Sequence, residues 1–290
     1  MQVIVAKYSG FCPGVVQAED AILSTKENIN RKEKIYIYGY LIHNHTYIDY
    51  LSSLGIATVE DLESVEPGSL LVVRTHGIDR KVEEKLRAQY TLLDLTCPKV
   101  KRVQKIIQSY AQKGYFIVIT GKPEHPEVKG LVSYADRFTV IEKESQIPQV
   151  IQELSKESNL SILIISQTTG DRTLFESTID AFQEAGSGKG WKVEVHDTIC
   201  SITALREREA LKNLEKVDVT FVVGDRLSSN ATKLYNALRS QTPHVYFIGS
   251  LEDLKELKLD YSRWNTVQVV SSSSTPDFVE KEIVSYLEGL

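Results

Sequence analysis

The chain has 290 residues, 42% of them hydrophobic and 25% charged, with a formal net charge of −5. That length suits two or three compact units of an ordinary globular protein, and the acidic balance argues against a nucleic-acid binder. No run approaches the ~20 apolar residues that a bilayer span requires, so neither nucleic acid nor a membrane is an expected partner.

The opening MQVIVAKYSGFCPG places Lys7 after its apolar run, the reverse of a signal peptide's order. It reads as a first strand, Val3–Ala6, and a cytoplasmic location follows as the default. Further short β-branched runs are Ile35–Tyr38, Leu70–Val73, Phe116–Ile119, Ile162–Ile165, Val193–His196, Val219–Val223, Val245–Ile248 and Val267–Val270. Most are continuously apolar, as in parallel sheets buried on both faces. Helical patterns cover Gln17–Asn28, Lys99–Lys113, Leu174–Ala185, Ala204–Glu215, Lys233–Ser240 and Phe278–Leu287. This alternation predicts an α/β fold with parallel sheets. GSGKG at 186–190 reads as a turn before Trp191.

Three cysteines lie far apart, with spacings of 85 and 103 residues. Cys12 precedes PGVVQAEDAI, Cys97 precedes PKVKRVQKII and Cys200 precedes SITALREREAL. Each opens a helical pattern, which suggests one motif used three times. The expected units are 13–97, 98–195 and 196–275, with 1–12 as a central N-terminal strand carrying the first cysteine and 276–290 as a C-terminal helix or tail. A helix start favours thiolate, the metal-ligating form, and Pro13 and Pro98 suit the first helical position. Three thiolates can hold zinc or an iron–sulfur cluster, and no C-x-x-C marks a zinc ribbon or ferredoxin run.

Ligands of open α/β sheets bind beyond the carboxyl ends of strands. The segments there are GYLIHN, RTHG, GKPEHPE, SQTTG, HDTIC, GDRLSSN and SSSSTPD. They carry His43, His76, His125, Glu127, Thr168, Ser228, Ser229, Asn230 and Ser274. The serine-rich segments cap helices or capture an anion. Neither a Walker motif nor G-x-G-x-x-G occurs, so a nucleotide is not indicated. Glu127 is a surface charge or, in a cleft of low dielectric, a proton donor with a raised pKa.

Taken jointly, GFCPGV (10–15), IHN (42–44), RTHG (74–77), DLTCPKV (94–100), HPEVKG (125–130), QTT (167–169), DTIC (197–200), VVGDRLSSN (222–230) and STPD (274–277) resemble the 4-hydroxy-3-methylbut-2-enyl diphosphate reductase (IspH/LytB) family nearly end to end. The resemblance implies a trefoil of three pseudo-threefold-related α/β units around a central [4Fe–4S] cluster held by Cys12, Cys97 and Cys200. It implies that His43, His76, His125, Ser228, Ser229, Asn230 and Ser274 hold a diphosphate. Glu127 would deliver a proton, and Thr168 would orient Glu127 and the substrate hydroxyl. The implied reaction is reductive dehydroxylation of 4-hydroxy-3-methylbut-2-enyl diphosphate to isopentenyl and dimethylallyl diphosphate, the last step of the non-mevalonate isoprenoid pathway. Ferredoxin or flavodoxin would supply the electrons. Gln17, Ser133, Gly170 with Asp171, Ser272 and Ser273 stand where the family pattern has Arg, Gly, Leu with Ser, Gly and Ala. These departures are expected to reshape the rim of the pocket. Two other readings stay open: a paralogue on the same scaffold with another substrate, and a non-catalytic metal-binding protein.

Overall fold

A computed structural model describes residues 1–29 and 34–290. The described residues fall into two compact units, 1–75 with 201–290, and 76–200. Their strands belong to three parallel sheets.

The first unit contains β1 (Gln2–Val5), α1 (Pro13–Asn28), β2 (Ile35–Tyr38), α2 (His45–Ser53), β3 (Ile56–Val59) and β4 (Leu70–Val73). The second contains α3 (Arg80–Gln89), β5 (Thr91–Asp94), α4 (Pro98–Ala111), β6 (Phe116–Thr120), α5 (Pro126–Val132), β7 (Phe138–Ile141), α6 (Ile147–Leu154), β8 (Ser161–Ser166), α7 (Arg172–Ser187) and β9 (Lys192–Val195). The chain then returns to the first unit with α8 (Ser201–Asn213), β10 (Val219–Val223), α9 (Ser229–Arg239), β11 (Val245–Ile248), α10 (Leu251–Glu256), β12 (Thr266–Ser271) and α11 (Asp277–Glu288).

One strand order recurs. In the first unit β2 lies between β3 and β4, and β10 lies between β11 and β12; in the second, β6 lies between β7 and β8. Each time the chain moves to one flank of a central strand and then crosses to the other. The carboxyl ends of β2 and β4, of β6 and β8, and of β10 and β12 therefore flank three topological switch points. Such a crevice is where open α/β sheets bind ligands.

The strands at these crevices are the best buried. Every residue of β4 and β10 is buried, whereas edge strand β1 leaves Val5 42% exposed. Val118, Ile162 and Ile164 pack against Phe175 and Phe182 on one side of their sheet, and Ile117, Ile119 and Ile165 against Val103 and Ile107 on the other. Each such side chain contributes about 1.5–3 kcal/mol on leaving water, so the strand ends that carry the polar loops are firmly fixed.

Helices begin earlier than their apolar periodicity. α1 starts at Pro13, not Gln17, and α7 at Arg172, not Leu174. The cap sets the start: proline suits the first turn, and the Asp171 side chain accepts a hydrogen bond from the Leu174 N–H. α7 also runs through Gly186 to Ser187, so the turn before Trp191 is shorter than GSGKG and closes on Gly190 at φ +66°. Periodicity alone leaves β3, β5 and β7 unseen, because each is four residues of edge-like, partly exposed character.

Candidate functional site

In the second unit, β6 and β8 present the loops that carry His125, Glu127 and Thr168. His125 caps α5, its Nδ1 accepting the Glu127 N–H at 3.1 Å. In a neutral imidazole this places the ring proton on Nε2. Pro126 occupies the first turn and turns the Glu127 side chain inward, where it is 2% exposed. One carboxylate oxygen accepts the Thr168 backbone N–H at 2.6 Å and the other its hydroxyl at 2.7 Å. Burial pushes the Glu127 carboxyl up to about 7, and the two Thr168 hydrogen bonds pull against that rise. An acid so tuned exchanges a proton near neutral pH.

Thr168 also reaches a cysteine. Its carbonyl accepts the Cys200 N–H at 2.7 Å. The segment before Cys200 is fixed by Thr198, whose hydroxyl accepts the Ser166 N–H at 2.8 Å and donates to the Ser166 carbonyl at 2.5 Å. Gly170 closes this loop, and a Cβ there would lie 2.9 Å from the Gln167 carbonyl oxygen, so the tight QTTG turn excludes the leucine of the family pattern. The His76 and His125 rings meet edge-on, with centroids 5.3 Å apart. The other departure in this unit, Ser133, donates to the Gly130 carbonyl and accepts the Arg80 N–H, so it pins the start of α3.

Cys97 is the N-cap of α4, with Pro98 next, and Cys200 immediately precedes α8. Both thiols are half-buried. The first five residues of α4 include Lys99, Lys101 and Arg102, and its first turn holds no acid. Cations there oppose the helix dipole. Lys101 is offset by Asp94 at 2.6 Å and Glu83 at 3.4 Å, while the Lys99 ammonium lies 3.1 Å from Cys200 Sγ.

In the first unit, Cys12 caps α1 in an extended conformation, with Pro13 following. The residues before it are gripped from three elements. Arg206 of α8, 1% exposed, donates to the carbonyls of Tyr8 and Gly10, the latter at 2.6 Å. Ser9 accepts the Ser271 N–H at 2.6 Å and donates to Glu280. Gly10 turns the chain at φ +74°, a left-handed conformation that glycine adopts without strain. The helix opened by Cys200 thus buries an arginine and Ala210, where an apolar stripe would be ordinary.

His43 lies after β2, beside Asn44, whose side chain caps α2 through the Tyr47 N–H. Burial first, then the Arg74 guanidinium, lowers the His43 pKa against the pull of Asp225. His43 therefore presents a neutral ring at pH 7. Asp225 accepts N–H groups from His45 and Leu227, and these hydrogen bonds outweigh its burial and hold its carboxyl below the usual range. At the crevice of β10 and β12, Ser228 (5% exposed), Asn230 (8%) and Ser274 (8%) come together. Ser274 Oγ donates to Ser228 Oγ at 3.0 Å, Ser228 Oγ accepts the Ala231 N–H, and Asn230 Nδ2 donates to Ser273 Oγ at 2.7 Å. Ser229 opens α9 one residue on and is half-buried.

Thus His76, His125, Glu127, Thr168, Cys97 and Cys200 belong to one unit, and Cys12, His43, Ser228, Ser229, Asn230 and Ser274 to the other. Sequence reasoning missed Arg206 and Lys99, and it placed Ser273 only at the rim of the pocket. The signal for Lys99 was legible, since three cations among the first five residues of a helix, with no acid in its first turn, is an electrostatic anomaly. No local signal marks Arg206, which acts on a segment 196 residues away. The donor set fits an iron–sulfur group: thiols at helix starts, one beside an ammonium, on backbone fixed by hydrogen bonds.

The profile of the LytB protein family matches residues 3–288. The 4-hydroxy-3-methylbut-2-enyl diphosphate reductase of Petrotoga mobilis is 33% identical over 99% of this chain and 97% of its own. A solved structure of (E)-4-hydroxy-3-methyl-but-2-enyl diphosphate reductase, described as the terminal enzyme of the non-mevalonate pathway, covers all of both chains at 29% identity with a TM-score of 0.76. The E-1-hydroxy-2-methyl-but-2-enyl-4-diphosphate reductase structure from Plasmodium falciparum covers 99% of this chain and 87% of that one at 25% identity, with a TM-score of 0.85. With the motifs, the fold and these likenesses in agreement over nearly every residue, the chain belongs to the LytB protein family.

Proposed function

We propose that this chain is a 4-hydroxy-3-methylbut-2-enyl diphosphate reductase, removing the substrate hydroxyl as water and yielding isopentenyl and dimethylallyl diphosphate. The observation that carries the reading is the Glu127–Thr168–Cys200 linkage, a buried acid poised near neutrality and hydrogen-bonded to the residue that holds a cysteine backbone.

Cys12, Cys97 and Cys200 hold a [4Fe–4S] cluster in this reading, and the cluster, when bound, supplies electrons drawn from a one-electron donor such as ferredoxin or flavodoxin. The protein's own groups do the rest. His43, His76, His125, Ser228, Ser229, Asn230 and Ser274 bind the diphosphate and so aim the far end of the substrate. Hydroxyls, an amide and imidazole N–H groups suit this task, since each donates hydrogen bonds to a polyanion. Glu127 gives its proton to the leaving oxygen as the C–O bond breaks. Two electrons and a second proton complete the new C–H bond, so one water leaves per substrate. Thr168 keeps the carboxyl aimed and moderates its pKa.

Each sheet draws its strands from one of the spans 1–12 with 196–275, 13–97, and 98–195, which supports a three-unit organisation. Among the described residues no helix is long and apolar enough to cross a membrane, and a cytoplasmic location is part of the proposal. The test is anaerobic purification with iron and sulfide analysis, joined to a dye-coupled assay on 4-hydroxy-3-methylbut-2-enyl diphosphate. About four irons per chain with turnover are expected. Zinc in place of iron would overturn the reading, and a loaded cluster without turnover would move it to another substrate.

A further inference from the structure

At the crevice of β10 and β12, each hydroxyl has one proton to donate, and the contacts fix where most of them go. Thr275 Oγ1 donates to the Val223 carbonyl at 2.8 Å. It can therefore only accept from Ser272 Oγ, 3.0 Å away. That uses the Ser272 proton. Ser274 Oγ, 3.1 Å from Ser272 Oγ, donates its proton to Ser228 Oγ at 3.0 Å. Ser228 Oγ accepts from the Ala231 N–H, so its own proton has no acceptor among the described residues. Ser273 Oγ is likewise an acceptor, from Asn230 Nδ2 at 2.7 Å, and its proton is uncommitted in the same way.

The network is built tightly. Ser272 and Thr275 are fully buried. Gly224, at the end of β10, leaves the room: a Cβ there would lie 2.6 Å from the Ala231 Cβ and 3.1 Å from Ser272 Oγ. The buried tier of Thr275 and Ser272 consumes its protons internally and fixes the hydroxyls above it. The upper tier of Ser228 and Ser273 holds protons ready for an outside acceptor. Asn230 adds polarisation, because a hydroxyl that accepts a hydrogen bond becomes a better donor.

We propose that Ser273 is a direct ligand of a diphosphate oxygen in this chain, and that Ser272 is a positioning residue that orders the hydroxyls around it. The proposal rests on the anion-binding reading above and deepens it by assigning two residues which that reading leaves out. Ser273 adds a charge-assisted hydrogen bond, and Ser272 acts only through Ser274 and Thr275.

The test is calorimetry of inorganic diphosphate binding to the anaerobically purified, cluster-containing chain, with KM and kcat for the allylic diphosphate measured in parallel. Ser273→Ala should weaken diphosphate binding about tenfold, with KM rising by far more than kcat falls. Ser273→Thr, which restores the hydroxyl, should recover most of the loss. Ser272→Ala should give a smaller rise, about threefold, again in KM. Binding by Ser273→Ala within twofold of the parent would overturn the assignment while leaving the reductase reading intact. A parent chain that binds diphosphate, loses it in Ser273→Ala and turns over no allylic diphosphate would keep the assignment and sink the activity. A parent chain that binds no diphosphate would overturn both.

Discussion

The polar groups of the two units are built on opposite principles. In the first unit, the crevice of β10 and β12 is lined by hydroxyls and an amide that carry no charge and do not titrate near neutrality. In the second, the crevice of β6 and β8 buries a carboxyl that burial lifts to about 7. The first arrangement, proposed above to meet a diphosphate, keeps the same charge at any ordinary pH. The second stores a proton and releases it over a narrow range. The difference teaches that binding and chemistry should separate when pH is varied.

The sharpest way to break that comparison is Glu127→Gln. Losing a general acid should lower kcat by about 10²–10⁴ while iron content and diphosphate affinity hold. A variant that keeps its rate would remove Glu127 from proton delivery. In the parent chain, kcat should fall about tenfold per pH unit above about 7, as Glu127 loses its proton, with diphosphate affinity flat over the same range. Parallel losses of rate and affinity would blur the division.

Arg206→Met attacks the first unit alone. It leaves the carbonyls of Tyr8 and Gly10 without their buried donor and should cost roughly 2–4 kcal/mol of stability in denaturant titration. In the cluster-free protein, alkylation of Cys12 should speed up relative to Cys97 and Cys200. Equal rates at all three thiols would show that Arg206 does not set the Cys12 segment.

Glu127 should also be visible in stability. Its proton is held to about pH 7 in the folded chain, against an ordinary value of 4.5. The folded state therefore binds the extra proton between those limits. Stability is full below about 4.5 and declines by ~3 kcal/mol as pH rises to about 7. The glutamine introduced by Glu127→Gln cannot titrate, so the difference between variant and parent should grow across that window and then level off. A flat difference would mean that the carboxyl is not desolvated.

The smallest expected effect is at Thr168. Removing its hydroxyl in Thr168→Ala deletes one hydrogen bond to the carboxylate form, a loss of about 1–2 kcal/mol. The falling limb of the rate profile should then move to higher pH, and Thr168→Ser should return it. An unmoved limb would assign the moderation to the backbone N–H alone.

The parts legible in sequence were those written by local rules. The continuous apolar runs of β4, β6, β8 and β10 announce buried parallel strands, and the polar loops after them announce the crevices. Cysteine followed by proline announces a helix start at Cys12 and Cys97. The rest depends on contacts between distant segments. Arg206 reads as one more charge in LREREA, and only its 1% exposure and its carbonyl partners reveal a clamp. Ser272 and Ser273 stand out in sequence only as departures from the family pattern, and the contacts show that one spends its proton on Thr275 while the other accepts from Asn230. The raised pKa of Glu127 likewise comes from its burial, which no single stretch encodes.

Strand β1 pairs with β12 alone, Gln2 lying opposite Thr266. During synthesis the first strand made thus waits for the last described one, while β2 and β6 meet their neighbours within a few dozen residues. Contacts of such long sequence separation form late. The segment leading to Cys12 therefore settles only when the chain is nearly finished, and an interrupted chain is left with its first cysteine on an unpaired strand.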